Sequence, residues 1–307
     1  MVVRVREVMV EYKLSCYKQM SKIYKATIEV VTPVHIGVFD FDYFSFFQKE
    51  GYLYVIDWVK VFKYKTLCEK LKLILDKQLD NEEEWFNYYK NDFIERYKEE
   101  IIKNNLITER IKINKGLNKE ITSFHRNLKF HIRYFDFEKG RYIPYLPGSS
   151  IKGALGNILQ LSKENAEKLL VSDFYQENEE ERTEIMEAQR YYLNALNTKK
   201  GRFRKSIYNF VEIIIPKTKL FGQMRINDEN LLSDNFYSIN ENIMKYNYDK
   251  YFNLLPKHLK DFIENLKNNQ IILLLGFGVG ENFAKTKYLV DYNGEKLPLG
   301  LTVLTLD

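Results

Sequence analysis

The residues best placed for chemistry lie between Tyr142 and Gly156, in the run Pro144-Tyr145-Leu146-Pro147-Gly148-Ser149-Ser150-Ile151-Lys152-Gly153. Pro144 and Pro147 hold the chain extended, because each disfavours helical backbone in the residue before it. Gly148 permits a sharp turn, and Ser149 or Ser150 can cap the first turn of a helix. Ile151, Ala154, Leu155, Ile158 and Leu159 then recur at helical spacing. The pattern predicts a helix N-terminus with open backbone N–H groups, two hydroxyls and one lysine, a combination suited to phosphate. On this reading Gly148 lets a polyanion approach the helix end. The segment is not a nucleotide-binding P-loop, since it lacks the Gly-Lys-Ser/Thr ending.

A second glycine loop, Gly276-Phe277-Gly278-Val279-Gly280, follows the apolar run Ile271 to Leu275 and leads to Lys285-Thr286-Lys287. Alternating glycines allow close backbone approach, either to another chain segment or to a sugar–phosphate backbone. By itself the loop reads as a tight turn between strands beside solvated lysines. His35 ends the turn Thr32-Pro33-Val34-His35-Ile36-Gly37. It can be written as a general base, but no second acid or base stands at a convincing spacing, and a satisfied structural role is the better expectation. Asp40 and Asp42 lie in an aromatic run and read as surface loop residues.

These segments need elements to hold them. Ile23 to Val31 alternates as a strand, and Tyr52 to Ile56 reads as a short one. Asp57 to Leu79 reads as a helix with Val61, Leu67, Leu71 and Leu75 on one face, and a second helix runs from Asn81 to about Asn104. Leu128 to Phe137 alternates, with Lys129, His131 and Arg133 on one face and Leu128, Phe130 and Ile132 on the other. Tyr134 and Phe130 are candidates for base stacking, weighed against ordinary core packing. A short strand is expected at Leu169 to Phe174. The acidic stretch Glu177 to Glu187 is expected to lead a helix to Leu196. Ile207 to Ile215 and Thr218 to Ile226 read as a hairpin about Pro216-Lys217. Ser233 to Asn268 reads as helical with a break at Pro256, and strands close the chain at Ile271 to Leu275 and Leu301 to Leu306.

The order implies an α+β fold of two ferredoxin-like (RRM-like) units. The expected division is an N-terminal unit over 1–160, with a helical insertion at about 57–104, and a C-terminal unit over 161–307 carrying the glycine-rich loop. The 307 residues suffice for that, and a net charge of +5 permits polyanion binding without demanding it. Aromatics make up 15% of the chain, which supplies many flat surfaces for packing or stacking. Two cysteines and four histidines show no metal-ligand spacing, so no metal or other cofactor is expected. Met1 to Met20 is charged and has no apolar h-region, and no apolar run reaches membrane length.

Taken in order, the segments resemble those of RAMP proteins of type III CRISPR effector complexes, and among them the fifth-subunit family of type III-A (Csm) complexes. Ala26 to Gly37 resembles the family's opening strand and TPVHIG turn, and Tyr145 to Leu155 its PGSSIKGAL loop and helix. Val171-Ser172-Asp173 resembles a VSD strand, Glu212 to Leu220 an E-x-I-x-x-x-T core, Gly276 to Thr286 a glycine loop ending in lysine–threonine, and Pro298-Leu299-Gly300 a closing turn. Each element is moderately specific, and their shared order is strong. Two departures stand out. Gly156-Asn157 replaces an arginine usual in the family, a contact that Lys152 or Arg141 can supply. The segment between Ile36 and Leu128 is long and helical, and nothing in the chain matches the G-G-x-D-x-P-V segment with the cleaving aspartate of the repeated backbone subunit.

The resemblance implies a cytoplasmic, non-catalytic subunit that caps the 3′ portion of the crRNA and contributes to its maturation and to antiviral defence. Its implied partners are crRNA, the repeated backbone RAMP subunit, the small subunit and host nucleases, with no membrane. Its implied RNA contacts are Gly148, Ser149, Ser150, Lys152, Arg133, Arg141, Gly276, Gly278, Gly280, Lys285 and Thr286. The alternatives are a RAMP endoribonuclease, with His35 as a catalytic candidate, or a purely structural assembly subunit.

Overall fold

Alternation in Lys22–Val30 sends Ala26, Ile28 and Val30 to one side, and these bury completely. This strand is the centre of a five-stranded antiparallel sheet ordered Gln270–Leu274, Leu301–Leu306, Lys22–Val30, Lys219–Ile226, Leu169–Val171. Leu220, Met224, Val303 and Leu304 join the same core, under Ile151, Leu155 and Ile158 of the helix Gly148–Ile158 and Ile263 of the helix Lys257–Glu264. The computed structural model describes residues 22–37, 43–77, 81–115, 117, 128–138, 140–177, 182–192, 209–227, 239–240, 252–276 and 286–307.

A larger mixed sheet runs Glu295–Pro298, Thr286–Tyr292, Thr183–Tyr192, Ile107–Ile113, Tyr52–Ile56, Phe46–Lys49. Asn209–Ile214 covers the other edge of Thr183–Tyr192 and pairs beyond with Leu128–Lys129. Helices Trp58–Lys63, Lys65–Leu75, Glu82–Tyr89 and Glu95–Lys103, with the wider helical turn Lys90–Ile94 between the last two, bury Val61, Leu67, Leu71, Tyr89, Phe93 and Ile101 in one cluster with Phe47, Tyr54 and Ile56 of this sheet. Asp57 and Asn81 start the first and third of these helices, each accepting an N–H three residues on.

The fold is a mixed α+β one, and several elements differ from expectation. The helix predicted to start in the acidic stretch is the strand Thr183–Tyr192. Glu, Met, Ala and Gln favour helix, but both edges of this segment are paired and Ile185, Met186 and Ala188 are fully buried, so tertiary context overrides propensity. The expected hairpin is two strands in different sheets. Asn209–Ile214 pairs with Thr183–Tyr192, while Lys219–Ile226 pairs with Lys22–Val30. The turn between them, with Lys217 at φ +67°, hands the chain from one sheet to the other and is tied down by Lys217 N–H to Val30 O.

The single helix Asp57 to Leu79 is broken at Tyr64, and Ile74 buries where Leu75 was expected. The strand Leu128 to Phe137 is interrupted at 130–132, after which Arg133–Asp136 pairs with Arg141–Pro144 as a separate two-stranded ribbon. The division at residue 160 is crossed by both sheets: Lys22–Val30 pairs with Lys219–Ile226, and Ile107–Ile113 with Thr183–Tyr192. Much of the helix expected at 233–268 lies outside the described residues, and its described part is Lys257–Glu264, which Pro256 begins. No helix among the described residues is long and apolar enough to cross a membrane.

Candidate nucleic-acid interface

Glu212 sits in the apolar run Phe210-Val211-Glu212-Ile213-Ile214 and is fully buried. A buried carboxylate must be paired and hydrogen-bonded, and the interrupted segment after Leu128 supplies both. Arg133 donates to it through Nη2 and through Nε at 3.3 Å, and the backbone N–H of His131 donates at 3.1 Å. Arg133 Nη1 reaches Glu109 Oε2 at 3.0 Å, and Glu109 Oε1 accepts the Tyr142 N–H at 2.8 Å. One arginine thus joins both carboxylates, and Glu109 fastens both strands of the ribbon to the large sheet. Burial pushes the Glu109 carboxyl up to about 7, against the pull of Arg133 and the Tyr142 N–H.

Two histidines complete this buried knot. His131 Nδ1 accepts the Ile36 N–H at 3.1 Å, so its Nε2 carries the proton donated to Tyr145 O at 2.9 Å. Burial lowers His131 to about 3, which keeps it neutral. His35 is 1% exposed, lies with its Nδ1 2.7 Å from Glu212 O, and is lowered chiefly by burial. Its ring meets that of His131 edge-on, with centroids 6.1 Å apart. The catalytic candidate is therefore a core histidine bonded to backbone.

The glycine motifs close on the same turn. A Cβ on Gly276, at φ +90°, would lie 2.1 Å from His35 O. Gly300 N–H donates to Pro33 O, Leu275 N–H to Gly300 O, and Leu301 N–H to Thr32 Oγ1. The close approach that Gly276 permits is to the protein's own backbone, which corrects the expectation that its missing side chain makes room for RNA.

Gly148 is corrected in the same way. It is buried, its N–H donates to Asp173 Oδ1 at 2.7 Å, and a Cβ there would lie 2.3 Å from Val171 O. The helix begins at Gly148 itself, so Ser149 and Ser150 belong to its first turn, and Asp173 from a distant segment supplies the cap that they were expected to give. Arg133, expected to touch RNA, is occupied in the core by two carboxylates. Phe130 is core as well.

Around this knot runs a solvent rim. Ser149 is exposed, while Ser150, Lys152 and Arg141 are half-buried, the last on the ribbon strand opposite Asp136. Tyr134, Tyr145 and Tyr175 cluster together and are tied to the helix start through Asp173, which bonds both Tyr175 and the Gly148 N–H. The structure brings Ser149, Ser150 and Lys152 together on one helical turn and places Arg141 on the neighbouring ribbon. Thr286 begins the strand Thr286–Tyr292, opposite Tyr192. Gly278, Gly280, Lys285, Asp40 and Asp42 lie outside the described residues. Sequence reasoning missed Glu109, the capping role of Asp173, and Tyr145 and Tyr175 as neighbours of the candidate Tyr134. For Glu212 a signal existed, a lone acid inside an apolar strand.

A family model described as the RAMP superfamily matches residues 27–283. No curated protein sequence matches the chain. Among solved structures, the chain is similar to the Csm5 of T. onnurineus, with 14% identity, a TM-score of 0.57, and coverage of 90% of this chain and 99% of that one. It is also similar to a chain in a Csm-crRNA-target RNA ternary complex of a type III-A CRISPR-Cas system, with 13% identity, a TM-score of 0.53, and coverage of 92% and 100%.

Proposed function

The chain belongs to the RAMP superfamily, and from that premise we propose that it is a Csm5-type subunit of a type III-A CRISPR effector complex. In this reading it binds crRNA without cleaving it and caps the 3′ portion of the guide. It meets the repeated backbone subunit and the small subunit, works alongside trimming nucleases, and acts in the cytoplasm. The observation that carries the reading is the extent of the shared architecture, which accounts for nearly all of both chains.

The five-stranded sheet supports one ferredoxin-like unit assembled from distant segments. Lys22–Val30, the helix Gly148–Ile158, Leu169–Val171, Lys219–Ile226, the helix Lys257–Glu264 and Leu301–Leu306 follow in β-α-β-β-α-β order, with Gln270–Leu274 added at the edge. The second unit would be drawn from the larger sheet. RNA contact falls to the rim, to Ser149, Ser150, Lys152 and Arg141, with the Gly278–Thr286 stretch as a second contact. These groups address phosphate and sugar, which fits binding that ignores sequence.

Filter binding of labelled guide RNA with and without Mg²⁺ tests the proposal. Binding that is indifferent to metal, with the RNA left intact, is the expected result. Cleavage that vanishes in Asp40→Ala or His35→Ala would establish an endoribonuclease instead, and absence of binding would leave an assembly subunit.

A further inference from the structure

Three tyrosines from three segments meet outside the apolar clusters of the described core. Tyr145 and Tyr175 lie nearly parallel, at 21° with ring centroids 5.8 Å apart. Tyr134 stands edge-on to both, at 5.9 Å and 83° from Tyr145 and at 5.0 Å and 76° from Tyr175. Tyr175 is 39% exposed. Its hydroxyl donates to Asp173 Oδ2 at 3.3 Å, and Asp173 Oδ1 holds the N–H of Gly148. Burial raises all three phenols, so their hydroxyls stay protonated. The cluster is thus locked to the start of the helix that carries Ser149 and Lys152, with Lys152 one turn along. Arg141 on the ribbon is near enough for its charge to act on Tyr134.

Edge-on support beside a near-parallel pair makes a preorganised aromatic surface outside the apolar clusters of the described core. We propose that this cluster is a stacking seat for an unpaired base of single-stranded RNA, with Tyr175 as the ring the base covers and Lys152 and Arg141 as cations for the flanking phosphates. The inference rests on the proposed RNA-binding function and adds a base-contacting subsite to it. Charge favours RNA over a protein partner. The basic groups match a polyanion, and both local acids are engaged: Asp173 by two of the protein's own donors, and Asp136 by the Glu138 N–H, with Arg141 opposite it on the ribbon. Any base has a π face, so such a seat suits binding without sequence preference.

The experiment measures fluorescence anisotropy of a labelled oligouridylate on the full chain, with melting temperature recorded for each variant. Tyr175→Leu is expected to weaken binding about ten-fold, within the range measured for single stacked bases. Tyr175→Phe, which loses the Asp173 bond and keeps the ring, is expected to bind nearly as wild type does. Photocrosslinking with 4-thiouridine RNA is expected to mark the peptide containing Tyr175.

Wild-type binding with Tyr175→Leu unchanged would overturn the seat and leave the RNA-binding function standing. Equal losses in Leu and Phe variants, each with a lowered melting temperature, would also overturn it, since the cluster would then serve only to brace the loop. A wild-type chain that binds no RNA would overturn both.

Discussion

Between Phe130 and Lys152 the chain contributes to two neighbourhoods that treat polar groups in opposite ways. In the knot, Arg133, Glu212, His131 and His35 are buried and Glu109 is partly so, and they bond to one another and to backbone. At the rim, Ser149, Lys152, Arg141 and Tyr175 reach solvent. Arginine occurs in both, so type alone does not say which arginine meets a ligand. The difference is that the knot joins four distant segments, whereas the rim lies on the ribbon strand Arg141–Pro144, the start of the helix Gly148–Ile158 and the segment of Tyr175. Variants in the knot should therefore lower stability first, and variants at the rim should lower binding first.

The largest contrast comes from Glu212→Ala. Removing one partner of a buried ion pair typically costs about 3–5 kcal/mol, and here it leaves Arg133 with Glu109 as its remaining carboxylate. Urea unfolding should show this loss for Glu212→Ala, and RNA affinity of the fraction still folded should hold. A shift in the unfolding midpoint too small to detect would mean the knot is not what ties the sheets together.

The next effect is a pH dependence. Glu109 has a folded-state value of about 7 against an ordinary 4.5, so the folded protein holds the proton more tightly than the unfolded chain. The stabilising contribution is complete below pH 4.5 and is lost as pH rises through about 7. From this group alone, unfolding free energy should fall by up to about 3 kcal/mol between about pH 5 and about pH 8. Glu109→Gln cannot titrate and should flatten that slope, from a lower starting stability because its amide keeps only one of the two acceptors that Arg133 and the Tyr142 N–H use. Parallel stability–pH curves for the two proteins would argue against a titrating clamp on the ribbon.

Gly148→Val comes third. A side chain there meets the carbonyls of Val171 and Ser172, and forcing them apart should cost about 1–3 kcal/mol. The melting temperature should drop while the folded fraction binds RNA as before. Weaker binding at an unchanged melting temperature would return Gly148 to the rim.

Much of this was legible in the sequence where a pattern is local. The strands at Tyr52–Ile56 and Leu301–Leu306, and the loop-to-helix change at Gly148, follow from alternation, proline and spacing. What was not legible depends on partners far away in the chain. Thr183–Tyr192 becomes a strand because Asn209–Ile214 and Thr286–Tyr292 lie on its edges. Arg133 leaves the candidate interface because Glu109 and Glu212 wait in the core. Tyr134 and Phe130 looked alike as aromatic candidates on one segment. The break at 130–132 sends Phe130 into the core and leaves Tyr134 at the rim.

The smallest effect on stability is expected from Lys152→Ala and Arg141→Ala, and it is the one that separates rim from knot most cleanly. Neither side chain belongs to a buried pair of the described core, so each should change unfolding free energy by no more than about 0.5 kcal/mol, as surface substitutions usually do. Their charges act instead on RNA phosphates. Losing one phosphate contact lowers the salt dependence of binding by roughly one unit of log–log slope, so the double variant should lose about two. The loss should also be uniform across RNA sequences, because a phosphate contact carries no base information. Titration of guide RNA at four salt concentrations gives the slope directly. If both variants keep the wild-type slope, the RNA path avoids this helix turn and must follow other cations of the chain. If the slope falls together with the melting temperature, Lys152 and Arg141 belong with the knot, and the contrast between the two neighbourhoods fails.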